Sequence, residues 1–160
     1  MTQRATISRI TAVGVALGLL LGQLAVAATP AIGTSKTIGV GIATGMEHLA
    51  LTGKYYLNPK TAVQAFFGSQ GHGFGASLDA MLEPLTLYAL PGGRLVAGVG
   101  GGLEVFSSAG AHDTGVHAVG QLSWQFTDVP IEVAADWRPT YWLAQVPAWT
   151  TAFAALRWYF

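Results

Sequence analysis

The side chains able to do chemistry are few and unevenly placed. Histidine and serine could form a nucleophile and its base. His117 and Ser123 sit on one face of a strand-like stretch. Their separation along it is roughly 20 Å at ~3.3 Å per residue, so they cannot touch. His112-Asp113-Thr114 lies near Ser107 and Ser108 in a polar stretch, a weak arrangement for catalysis. His48, His72 and His112 fall in stretches read as links, with Glu47 and Asp113 beside two of them. Histidine is the commonest metal ligand, but no tight i, i+2 or i, i+4 pair brings two together, so no metal or other cofactor is expected. The more coherent set is ionic: Lys54, Asp79, Glu83, Arg94, Glu104, Glu132, Asp136, Arg138 and Arg157 recur at alternate positions, each set against an apolar face.

That alternation is the mark of strands, whose successive side chains point to opposite faces. The last stretch, 150–160, shows it best. Phe160, Trp158, Leu156, Ala154 and Ala152 form an apolar face, while Tyr159, Arg157, Ala155, Phe153 and Thr151 form a mixed one. About 9–11 residues is the length a tilted strand needs to cross a bilayer. Further alternating stretches run over 37–44, 49–57, 61–69, 76–90, 94–106, 115–126 and 131–142, which makes eight strands. Turn residues separate them at Asn58-Pro59-Lys60, Pro91-Gly92-Gly93 and Thr127-Asp128-Val129-Pro130. The other links, near His48, Gln70, Ala111 and Gln145, read as longer and polar, with Ser107 to Thr114 the longest polar loop. No sustained helical period or cap appears.

The first residues have a different pattern. Arg4 and Arg9 precede an apolar and glycine run from Ala12 to Gly22, and Ala25-Val26-Ala27 gives a small-x-small site. This is a secretory leader, cut after Ala27 and too short to span a membrane. Residues 1–27 are therefore the signal peptide and 28–160 one domain. Removing Arg4 and Arg9 leaves six of the eight Lys/Arg against eight Asp/Glu, a net charge of about −2. There is no basic patch for nucleic acid. The chain has no cysteine, hence no disulfide and no thiolate chemistry. Charged residues make up 10%, well under the ~25% of ordinary soluble domains, which implies an apolar exterior. No stretch after the leader is apolar for long enough to form a spanning helix, and the remaining membrane-compatible solution is a closed barrel.

The leader, the eight alternating strands, the tight turns and the Arg157-Trp158-Tyr159-Phe160 ending together resemble the small bacterial outer-membrane β-barrel proteins of the OmpA/OmpX-like class. The resemblance is one of pattern across residues 28–160. It implies an all-β fold, an eight-stranded antiparallel up-and-down transmembrane β-barrel in the outer membrane, with short turns toward the periplasm and longer loops outside. It implies Trp158, Tyr159 and Phe160 as the assembly signal read by the barrel assembly machinery, and outer-membrane lipids and lipopolysaccharide as surroundings. An unknown surface ligand stays open.

In such a barrel the nine charges line the lumen, which eight strands make just wide enough for side chains to fill. Four cations against five anions fit a plug of mutual ion pairs, because an unpaired buried charge is costly. Arg157 is expected to meet a carboxylate of the preceding strand. Gly98, Gly100 and Gly102 form an inward stripe that makes space for Phe66, Phe106, Phe153 or Tyr56, or else opens a small ligand cavity. The function read from this is a structural or surface-interaction role without catalysis. Three alternatives are a lipid A-modifying enzyme, a small-ligand or narrow-pore barrel, and a soluble lipocalin-like barrel with its faces inverted. The lipid A deacylases carry a His-x-Ser motif, which would need serine at 119, where this chain has Val119.

Overall fold

The computed structural model describes residues 32, 36–45, 48–70, 73–108, 111–146, 148–149 and 151–160, with the side chains of His48 and Gln70 left aside. The stretch read as a leader, residues 1–27, lies outside the described residues.

Among the described residues there are nine strand segments: β1 (Ile38–Gly45), β2 (His48–Asn58), β3 (Thr61–Gln70), β4 (Gly73–Leu90), β5 (Gly93–Ser108), β6 (Ala111–Phe126), β7 (Ile131–Trp137), β8 (Thr140–Trp142) and β9 (Ala152–Tyr159). Each pairs antiparallel with its neighbour, and β9 closes on β1 with Val40 opposite Trp158. The segments β7 and β8 are two parts of one stave. Their register against β6 does not change across the gap, since Gly120 faces Trp137 and His117 faces Thr140. The gap is Arg138-Pro139, and proline has no N–H to give to the ladder. The result is an all-β, closed, eight-stranded antiparallel barrel. Strand β4 carries two register shifts: one spans Pro84, between Leu82 and Leu85, where the missing N–H again interrupts the ladder, and one lies further along, between Thr86 and Tyr88.

The alternation read from the sequence sorts inside from outside. Outward Leu51, Phe67, Leu78 and Leu103 are about 60% exposed, while inward Lys54, Glu132 and Arg157 are at most 2% exposed. The barrel thus has a polar core and an apolar coat, the reverse of a soluble fold.

The expected contrast between short turns at one end and longer loops at the other reduces to a single link. Two residues link β2 to β3 and β4 to β5, but two also link β1 to β2, β3 to β4 and β5 to β6. The stretch 107–114, expected to be the longest loop, is mostly strand. Ser107 pairs with His112 and Ser108 with Ala111. Its polar residues misled because they continue the in-and-out alternation at the tips of two strands, where either face tolerates polarity. His48 and His112 accordingly stand on strand ends and not in loops, and His72 lies outside the described residues. One longer link remains at that end, the arch between β8 and β9, described at 143–146, 148–149 and 151. Thr140 and Ala148 exchange backbone hydrogen bonds of 2.7 and 2.8 Å at its foot.

Candidate functional site

The inward face is the candidate site, and all nine charges assigned to it from the sequence are buried there. They divide into three levels along the barrel. Nearest the turns at Pro59, Pro91 and Pro130, Lys54 from β2 pairs with Glu83 of β4 and, at 2.9 Å, with Glu132 of β7. Glu132 also accepts from Arg157 Nη1 at 3.0 Å. Two tyrosines complete this level: the Tyr56 hydroxyl donates to Glu83 at 2.7 Å and the Tyr159 hydroxyl to Glu132 at 2.6 Å. Gln125 donates to Tyr56 at 3.0 Å and accepts from Arg94.

The middle level is built on glutamines. Gln121 accepts from Lys54 at 2.9 Å and donates to Asp136 at 2.8 Å. Gln64 donates to Asp136 at 3.1 Å and accepts from Arg157 Nη2 at 3.1 Å. Each amide can donate and accept at once, so it carries the hydrogen bonding between levels of charge without adding a charge of its own.

Toward the arch, Arg138 pairs with Asp79 and donates to Ser77 at 3.0 Å. Its Nε lies 3.7 Å from Asp136. The guanidinium lies over the Phe66 ring at 4.1 Å, with Phe153 at 5.6 Å, so a planar cation is held between anions and π faces. His117 Nε2 meets Asp79 at 2.6 Å, and its Nδ1 stands 3.9 Å from Glu104. A cavity of about 20 Å³, lined by Ala50, Phe66, Ser77, Glu104, Arg138 and Phe153, is left at this end, roughly room for one water.

The glycine stripe does make space, but not for the aromatics expected. A Cβ at Gly100 would strike the Ala80 carbonyl and the Met81 sulfur, one at Gly102 the Asp79 carboxylate, and one at Gly98 would stand 3.1 Å from the Glu83 side chain. The stripe on β5 therefore lets the facing β4 side chains fold across its backbone. Phe66 and Phe153 pack against each other elsewhere, at 5.5 Å.

The barrel wall parts Asp113 from the serine and histidine it was read with. Ser107 and His112 face outward as cross-strand partners, whereas Asp113 faces inward. Asp113 Oδ1 accepts the N–H of Thr114 at 2.8 Å and that of Ala144 at 3.1 Å, which ties down the foot of the arch. His117 and Ser123 are both buried on β6, with His117 engaged by Asp79. Of the terminal residues, Trp158 and Phe160 face outward while Tyr159 is fully buried, so the three do not form one outward patch.

Comparison with known families, curated proteins and solved structures found no match.

Sequence reasoning gave Gln64, Gln121 and Gln125 no role, took Tyr56 only as a ring filling space over the glycine stripe, and weighed His117 only as a base for Ser123, so the hydrogen-bonding part of all five was missed. All five lie at alternate positions already on the polar face. What singles them out is the donor and acceptor demand of the nine charges around them, a signal that could have been used.

Proposed function

We propose that this chain is an integral outer-membrane β-barrel of the OmpA/OmpX-like kind, with a structural or surface-interaction role, no catalytic step, and a lumen closed by ion pairs. The observation that carries the reading is the inversion of polarity. Leu49, Leu51, Phe67, Phe74, Leu78 and Leu103, all 59–65% exposed, stand in a coat around a core of paired charges. In water so large an apolar surface would drive association, and in hydrocarbon it is the expected outer wall. Outward Trp137, Tyr141 and Trp149 lie at the arch end. Tyr55 and Trp158 lie outward near the turns, with Trp124 half-buried beside Phe126. Rings of this kind at both ends suit the two membrane interfaces.

In this reading residues 1–27 direct export and are removed, the barrel assembly machinery recognises the end of β9, and lipid and lipopolysaccharide surround the wall. The filled interior supports a closed lumen, since the ion pairs reach from wall to wall. Cell fractionation combined with gel mobility before and after heating tests the proposal. The folded protein is expected in the outer-membrane fraction, migrating differently once boiled. A soluble protein with unchanged mobility would overturn it.

A further inference from the structure

Ile32 precedes β1 and belongs to no strand, yet it is only 2% exposed. It belongs to the apolar cluster of Tyr56, Ala62, Met81, Val119 and Tyr159, all of them inward residues of the barrel. Its carbonyl accepts a hydrogen bond from Arg94 Nη2 at 3.3 Å. Arg94 lies at the turn end of β5, where its Nε also donates to Gln125 at 2.9 Å. A guanidinium fork can hold a backbone carbonyl and a glutamine oxygen together, with directional, charge-assisted bonds.

We infer that Ile32 is a stopper: a residue ahead of β1 that seats in the turn-end mouth of the barrel and shields the ion-pair level above it from water. The two tyrosines show why the seat matters. Their rings, 5.9 Å apart, belong to the cluster that receives Ile32. Their hydroxyls hold Glu83 and Glu132 at 2.7 and 2.6 Å. The same two side chains thus present an apolar edge to Ile32 and a polar tip to the carboxylates paired with Lys54 and Arg157. Ion pairs of this sort strengthen as water is excluded, and without an apolar cover the mouth would admit water to Glu83 and Glu132.

The chain has no cysteine, so single cysteines report on the seat without background. In the folded, detergent-solubilised protein, Ile32→Cys is expected to react with a water-soluble maleimide at least roughly tenfold more slowly than Val129→Cys, the factor that an opening free energy of about 1.4 kcal/mol gives. Val129 is a half-exposed control on a turn at the same end. Ala62→Cys, in the seat itself, should be equally slow and should speed up by a similar factor when Ile32→Gly is added, with folding checked by heat-modifiable mobility. In the unaltered chain, methyl-to-ring proximity between Ile32 and Tyr56 or Tyr159 should be visible by nuclear Overhauser effects. Equal labelling of Ile32→Cys and Val129→Cys, no acceleration at Ala62→Cys, or no methyl–ring contact would each overturn the stopper.

Discussion

Arg157 and Glu132 face each other across the β7–β9 ladder, and Arg157 Nη1 reaches Glu132 Oε2 at 3.0 Å with both side chains fully buried. The guanidinium also donates from Nε to Thr52 at 3.1 Å and from Nη2 to Gln64 at 3.1 Å. One side chain thus ties together β9, β7, β2 and β3. Arg157→Ala is expected to destabilise the barrel by about 3–5 kcal/mol, because a buried carboxylate loses one of its cations. Arg157→Lys should recover only part of this, since an ammonium cannot reproduce the fork. Urea unfolding followed by heat-modifiable mobility checks both, and equal stability of all three proteins would remove Arg157 from the network.

A lumen closed by ion pairs, as proposed, has an electrical consequence. Purified protein in a planar bilayer is expected to show no steady conductance, because Lys54, Gln121, Asp136 and Arg138 bridge the interior at successive levels. Large, stable openings in the unaltered protein would mean that a water path runs past these residues.

The coat can be probed from outside. Val99 and Leu122 are outward, 41% and 45% exposed. Replacing either by arginine should cost roughly 2–4 kcal/mol in a bilayer if it lies near the midplane. Refolding titrations into lipid vesicles measure this, and a cost near zero at both positions would count against a lipid-facing wall.

Gly100 and Gly92 make a matched pair for the glycine stripe. Gly100→Ala should destabilise by about 1–3 kcal/mol, because the added methyl meets the Ala80 carbonyl and the Met81 sulfur and the facing strand must yield. Gly92→Ala, on a turn with nothing within 4 Å of the added atom, should change stability little. Thermal unfolding of the two variants side by side decides whether close approach at β5 is what requires glycine.

At the end of the chain, the Phe160 N–H donates to Ile38 O at 2.9 Å and its carbonyl accepts from Thr37 at 3.1 Å. Deleting Phe160 removes both bonds and an outward ring. Less folded protein should reach the membrane fraction, by immunoblot of unboiled samples. An undiminished folded band would show that the residue serves neither closure nor recognition.

Face assignment was legible in the sequence because a two-residue period is a property of each strand alone. Lys54, Glu132 and Arg157 could be placed inside without knowing their neighbours. Which of them meet is a matter of register between strands, and register follows from turn geometry and bulges such as the one at Pro84. Strand ends were harder. The polar tips at Ser107 and His112 carry no core-facing demand, so composition there resembled a loop although the ladder continues. Ile32 was not legible at all, since a lone apolar residue outside any periodic stretch says nothing about where it packs.

The ladder between β1 and β9 joins the first and last strands of the chain. Every other ladder can form between segments close in sequence, so this one has the highest entropic cost of closure and should be the last to form. Until then the chain is an open curved sheet with two bare edges, Ile38–Gly45 on one side and Ala152–Tyr159 on the other. Edges of that kind pair readily with other chains. The interval before closure is therefore when aggregation competes with folding. Chaperones that bind a free edge would protect it then, and changes that slow the approach of β9 would lower yield without altering the finished barrel.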